Sequence, residues 1–231
     1  MLESVPKEYR IFPLGDAAVT IEFGKIISIR DNQTAIAVAE FFDLNPFPGY
    51  IESAPAYAST TIFYDVGVVR RTLADAPSAF EAVRQLIVLA VENVDDTPAP
   101  DGRFFDIPAV FNEQSGPDTA DIARANHLSA SQVIDLFTAA TYRVFMLGFL
   151  PGFAYMGEVD ERIAMSRKTS PRLLVPKGSI GIAGRQTGIY SLESPGGWQI
   201  VGRTDVELFT PNKDSPSLLR PGDQVRFIAR K

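Results

Sequence analysis

RVFMLGFLPGFAYMGEVDERIAMSRKTSPRLLVPKGSIGIAGRQTGIYSLESPGGWQIVGR, residues 143–203, is the stretch on which the fold turns. It holds ten of the chain's 17 glycines, and it carries eight Lys+Arg against four Asp+Glu in a chain of net charge −6. A glycine lets backbone or ligand approach closely, so this density marks tight turns, either around a shaped ligand surface or at the corners of a β-barrel. Short apolar runs with glycine and proline between them continue through the carboxy-terminal half: Tyr142–Phe149, Ser179–Ala183, Ile189–Leu192, Trp198–Val201, Val206–Phe209 and Val225–Ala229. Strands so short and so evenly punctuated predict a closed or nearly closed barrel. Pro221-Gly222-Asp223 supplies the turn before the last of them.

Working outward, Phe104–Phe111 reads as a strand, Pro117–Asn126 as a short helix and Ser129–Ala140 as a better signalled one, with Ser129 and Gln132 spaced as a capping box. Farther upstream, Tyr9–Leu14 and Ala18–Phe23 read as a hairpin turning on Gly15-Asp16. A helix then starts at Ser28, and Tyr50–Ala56 with Thr60–Asp65 form a second strand pair. In the next helix Pro77 suits the first turn, and Phe80, Val83, Ile87, Ala90 and Val94 recur at helical spacing. The order implies an antiparallel sheet with helices on one face. Asp95–Gly102 breaks all periodicity, which sets a boundary near residue 100.

Composition removes several chemistries. There is no cysteine, hence no disulfide or thiolate nucleophile, and with one histidine, His127, there is no multi-His metal centre. No metal site is expected. The sequence has neither a G-x-x-x-x-G-K-[ST] phosphate loop nor a G-x-G-x-x-G run. The amino terminus has no leader pattern and no run is long enough to span a membrane, so a cytoplasmic protein is expected. The acidic pI of about 4.9 argues against nucleic acid as a partner.

Three sets of ligand groups remain. Arg172, Lys177, Arg185 and Arg203 flank strands and suit a carboxylate or phosphate, although each singly also reads as surface charge. Gln186, Thr187 and Tyr190 offer the amide and hydroxyl groups that an amide or lactam needs. Phe149, Phe153, Tyr155 and Trp198 lie near glycines and suit an apolar pocket wall, a role they share with ordinary core aromatics. Gly178, Gly181 and Gly184 read equally as an anion-binding run of N–H groups and as barrel corners.

GFLPGFAYMG (148–157), SPRLLVPKGSIGIAGRQTGIYSLESPGGWQIVGRT (170–204) and LLRPGDQVRF (218–227) resemble the KipI / PxpB family, PxpB being the B-subunit of 5-oxoprolinase, a family also described as the first subunit of allophanate hydrolase. The resemblance implies a cyclophilin-like barrel. The fold expected is therefore a ferredoxin-like α+β domain, an antiparallel sheet with two helices, over residues 1–100, followed by a mainly-β cyclophilin-like barrel over 101–231. The resemblance also implies a 5-oxoprolinase subunit that is inactive alone and opens the lactam 5-oxoproline to glutamate with ATP, in a complex with the C and A subunits. ATP would belong to the assembled complex. Arg172 and Arg203 would hold the carboxylate, with Lys177 near, and Gln186, Thr187 and Tyr190 would meet the lactam amide. Its KipI-type members imply a different role, inhibition of a sensor histidine kinase, and its allophanate branch a urea-amide hydrolase subunit. Where the family has a histidine ahead of the GFxPGF loop, this chain has Phe137.

Overall fold

The computed structural model describes residues 9–94 and 102–230. The chain divides into two compact units, Met1–Pro100 and Asp101–Lys231. The linker expected over Asp95–Gly102 falls, except for Gly102, outside the described residues.

The first unit runs β1 (Arg10–Pro13), β2 (Ala18–Glu22), α1 (Ile29–Leu44), β3 (Tyr50–Pro55), β4 (Ser59–Tyr64), α2 (Val66–Thr72) and α3 (Ala79–Asn93). Its sheet has the order β1-β2-β4-β3, antiparallel throughout. α1 packs on β3 and β4, and α3 on β2. Between them lies a core of Val19, Ile21, Val38, Phe42, Ile62, Val83 and Ile87. Ser28 and Ser78 cap α1 and α3 by accepting main-chain N–H bonds from Asp31 and Glu81.

Four details differ from the sequence reading, and the first is a third helix, α2, where two helices were expected. Pro77 precedes the Ser78 cap and so stands outside the helix rather than in its first turn. The first hairpin closes through a longer loop, Leu14 N–H bonding the Ala18 carbonyl, because Ala17 is held by Tyr64 N–H instead of by β1. The ferredoxin-like label needs correction as well. β2-α1-β3 straddles β4 as a split β-α-β, but the described elements run ββαββαα rather than βαββαβ. The fourth strand, β1, comes from the start of the unit, since the β1–β2 hairpin places it at the edge.

The second unit is a closed barrel in the order β10-β7-β6-β13-β5-β12-β9. Its strands are β5 (Phe104–Val110), β6 (Thr141–Leu147), β7 (Ala154–Gly157), β9 (Ser179–Ala183), β10 (Gln186–Ile189), β12 (Gln199–Arg203) and β13 (Gln224–Arg230). β5 and β13, the first and last, pair in parallel from Phe104↔Gln224 to Val110↔Arg230, which makes the barrel mixed. Arg103 grips Asp223 through main-chain and guanidinium N–H groups at this seam. The interior is filled by Ile107, Val144, Met156, Ile180, Ile182, Ile189, Val225 and Phe227. α4 (Thr119–Ala125) and α5 (Ala130–Ala139) connect β5 to β6, and α5 adds Val133 and Phe137 to the same core. Its Ser129–Gln132 capping box is formed on both sides.

β8 (Arg172–Val175) and β11 (Ser194–Gly196) pair as a separate two-stranded sheet outside the barrel ladder. Neither was expected. β8 shows no alternation because Leu173 and Leu174 are both exposed, and β11 contains a proline, which only an edge strand tolerates. The strand expected at Ile189–Leu192 lies earlier, at β10, where β7 and β9 supply partners on both sides. Val206–Phe209 is not a strand; Phe209 forms an isolated bridge with Ser217.

Candidate functional site

The β6–β7 connection, residues 148–153, folds tightly on itself. Gly148 N–H bonds the Phe153 carbonyl, Phe153 N–H bonds the Leu150 carbonyl, and Ser191 Oγ donates to the Pro151 carbonyl from outside. This places Phe153 at the centre of an aromatic cluster on the outer face of the barrel. Its ring lies 4.9 Å from Tyr155, 5.5 Å from Tyr190, 5.5 Å from Trp198 and 5.5 Å from Phe149, all edge to face. Edge-to-face contacts match ring edges to ring faces and add to the burial of each ring. Phe153, Tyr190 and Trp198 are buried, whereas Phe149 is 58% exposed with a backbone φ of 66°, a conformation that side chains other than glycine's seldom adopt. Phe149 therefore forms the open edge of the wall.

Two glycines create the room. A Cβ on Gly188 would stand 2.7 Å from Phe153 Cζ, and one on Gly196 would stand 2.3 Å from Tyr190 Oη. The density of glycine in this stretch is thus in part a requirement of ring packing between β10 and the β8–β11 sheet. Gly178 and Gly184 serve as corners. Their N–H groups are bonded to the Tyr190 and Met165 carbonyls, so the anion-binding run of N–H groups does not form.

Beside the wall stand three cations. Arg167 lies over the Trp198 ring with its guanidinium carbon 5.7 Å from the centroid. Lys168 Nζ and Arg172 Nη2 each lie 2.7 Å from Asp118 Oδ1, and Asp118 Oδ2 accepts the Ile200 N–H at 2.7 Å. Burial pushes the Asp118 carboxyl up, but the hydrogen bonds from Arg172, Lys168 and Ile200 outweigh it and hold the group below the usual aspartate value. Tyr190 moves the other way. Burial raises its phenol, while the Trp198 main-chain N–H and the charges of Arg167 and Arg172 oppose the rise, so the hydroxyl is neutral and a donor at pH 7. Among the described residues, Arg172 Nη1 and Gln199 Oε1 are buried without a hydrogen-bond partner. Gln199 Nε2 donates to the Ser166 carbonyl.

The structure thus brings Arg172 and Tyr190 together with Phe149, Phe153, Tyr155 and Trp198. Other expected groups are committed elsewhere. Thr187 is fully buried and donates to the Gly181 carbonyl, Lys177 pairs with Glu207, and Arg185 pairs with Glu158. Arg203 is exposed and bonds the Lys177 carbonyl. Gln186 is half-buried at the start of β10. His127 is exposed in the α4–α5 turn, and Phe137 is buried in the barrel core, not in this wall. Asp118, Arg167, Lys168 and Gln199 escaped the sequence reading. Asp118 falls within the short helix expected over Pro117–Asn126, and only the fold shows that it reaches residues 50 and more positions away.

The sequence matches the family described as carboxyltransferase domain, subdomain C and D, over residues 9–219. The chain belongs to that family. It is 42% identical over 221 residues to the 5-oxoprolinase B-subunit of Bacillus subtilis (strain 168), covering 95% of this chain and 92% of the relative. It is 36% identical over 222 residues to the 5-oxoprolinase B-subunit of Escherichia coli O157:H7, covering 96% of each. The crystal structure of TTHA0988 shares the fold with a TM-score of 0.78 and 33% identity over 93% of this chain. This chain spans 40% of the TTHA0988 chain. The chain thus matches relatives of nearly its own length and also part of a longer polypeptide.

Proposed function

We propose that this chain is the B-subunit of an ATP-dependent 5-oxoprolinase, which hydrolyses the lactam of 5-oxoproline to glutamate and is inactive without its C and A subunits. The observation that carries the reading is the identity to the 5-oxoprolinase B-subunit over nearly the whole of both chains. The occurrence of the architecture within a chain more than twice as long also supports a unit that works joined to others. The barrel is of the cyclophilin-like kind that the resemblance implies; the likeness carries no prolyl isomerase activity with it, since function resides in the site.

The aromatic wall fits a small, flat, five-membered ring, and Arg172 with Arg167 fits its carboxylate, the guanidinium fork matching the two oxygens. Tyr190 offers its hydroxyl toward the lactam. Ring opening adds water across the C–N bond and leaves the amine and a second carboxylate, so donors fixed near the carbonyl oxygen would stabilise the oxyanion that forms first. The residues here do not fit a triphosphate. Lys168 and Arg172 share Asp118, Lys177 has Glu207 and Arg185 has Glu158, which leaves Arg167 and one further positive charge beside the wall, a match for a carboxylate and too little for a triphosphate. ATP would belong to the assembled complex.

The test mixes this chain with the C and A subunits and follows phosphate and glutamate release with ATP, with and without 5-oxoproline. Glutamate release that needs all three proteins is expected. None from folded, co-purifying subunits would refute the reading.

A further inference from the structure

We infer that Asp118 is a positioning residue: it fixes Arg172 so that one arm of the guanidinium is held and the other is presented to the carboxylate of the substrate. This rests on the reading of the site given above.

The first observation is where Asp118 stands. It occupies the N-cap of α4, yet its side chain makes no capping bond, whereas Ser28, Asp65, Ser78 and Ser129 all cap their own helices. An aspartate at an N-cap ordinarily accepts an N–H from the first turn. This one is diverted to tertiary partners.

The second observation is how it is anchored. Asp118 N–H donates to the Ile200 carbonyl at 3.0 Å, and Ile200 N–H donates back to Oδ2 at 2.7 Å, so main chain and carboxylate are both clipped to β12. Only Oδ1 remains, and Lys168 and Arg172 share it.

The third follows from that sharing. Arg103 on Asp223, Arg226 on Asp106 and Arg162 on Asp160 each use Nε and Nη2, one to each oxygen, whereas Arg185 on Glu158 and Arg124 on Asp121 use one nitrogen. Arg172 uses Nη2 alone, on the Oδ1 that it shares with Lys168. Its Nη2 is bound and its Nη1 is left buried with no acceptor among the described residues. A buried donor without a partner is rare in a folded protein unless a ligand supplies the partner. Arg172 pairs across the β8–β11 sheet with Gly196, which lies against Tyr190 Oη, so the residue stands beside the aromatic wall. Asp118, Lys168 and Arg172 together carry a net charge of +1, which suits a single carboxylate.

The experiment measures kcat and KM for 5-oxoproline in the assembled complex, with Asp118→Asn, Arg172→Ala, Arg172→Lys and the double variant D118N/R172A. Arg172→Ala should raise KM about ten- to a hundredfold, the usual loss for a hydrogen bond to a charged group. Asp118→Asn should raise KM several-fold with kcat little changed, and should add nothing in the R172A background, because it acts through Arg172. Arg172→Lys keeps the pair with Asp118 but lacks the second arm, and its KM should approach that of R172A. Multiplying effects in D118N/R172A, or a parental KM in D118N beside a raised one in R172A, overturns the positioning role and leaves the site reading intact. A parental KM in R172A overturns both. If D118N does not fold, R172K decides, a parental KM refuting the spare-arm argument. Independently of turnover, ¹⁵N NMR of the isolated chain should show slow rotation of the Arg172 guanidinium; rotation as fast as that of the exposed Arg203 refutes the proposal.

Discussion

Phe137→His, which introduces the histidine that the resemblance implies, tests whether position 137 belongs to the chemistry or to the core. Phe137 is 1% exposed, with its ring 5.0 Å from Phe227, 5.1 Å from Tyr142 and 6.0 Å from Phe111. The neighbouring hydroxyl, Tyr142 Oη, already donates to the Phe137 carbonyl. An imidazole there would bury polar nitrogens without partners at about 1–3 kcal/mol. It would also weaken ring contacts worth roughly 0.5–1.5 kcal/mol each. A loss of about 3 kcal/mol corresponds to a fall in Tm of roughly 10 °C for a chain of this size. The cost should also grow with acid. A buried neutral imidazole has a folded pKa below its unfolded value of about 6.5, so the unfolded state binds the extra proton first and F137H loses further stability as pH falls below about 6.5. Chemical denaturation of parent and variant between about pH 5 and 8 reads both effects. An F137H protein with parental stability and a higher kcat in the complex would refute the core assignment and return position 137 to the reaction.

Gly196→Ala should cost about 1–3 kcal/mol by overpacking, since its Cβ would fall 2.3 Å from Tyr190 Oη and 2.8 Å from Cζ; a near-UV circular dichroism spectrum and Tm equal to the parent's would show that the ring has room. Arg203→Ala should leave turnover of the complex within about twofold of the parent, because Arg203 is exposed and its guanidinium bonds the Lys177 carbonyl; loss of turnover would put it back in the site. The hydrogen-bonded Asp118 carboxylate, held below its ordinary value, stabilises the fold at pH above the unfolded value of about 3.9 and loses that contribution as pH falls through its folded one. The difference in unfolding free energy between parent and D118N should therefore be flat near neutrality and shrink only below about pH 4; a difference that persisted unchanged in strong acid would refute the pairing.

What the sequence disclosed follows from the range of the interaction involved. Caps are local, so the Ser28 and Ser129 helix starts were legible, and so were Ser179–Ala183 and Gln224–Arg230, where β-branched runs sit between turns. β8 and β11 were not legible, because Leu173, Leu174 and Pro195 break every periodic rule and become strands only by pairing with each other. The aromatic wall was legible as a set of residue types beside glycines. Its cations were not, since the choice between Arg172 and Arg203 depends on Asp118, a residue 54 positions from Arg172, and no spacing rule reaches that far.

The location of the site has a physical cause as well. The seven-stranded barrel is filled by Ile180, Ile182, Met156, Ile189 and Phe227, so no ligand enters it, and Thr187, on the inward side with Ile182 and Met156, spends its hydroxyl on the Gly181 carbonyl. The outward side of the same strands holds Gly181 and Gly188, where missing side chains leave depressions that Trp198 and Phe153 occupy. Because the β8–β11 sheet lies over Tyr190 while Phe149 stays more than half exposed, the wall is closed on one side and open on the other. A hydrolase needs water excluded from all but the attacking position. On the proposed reading this chain supplies only part of that enclosure, and the open edge at Phe149 is where a partner subunit would complete it.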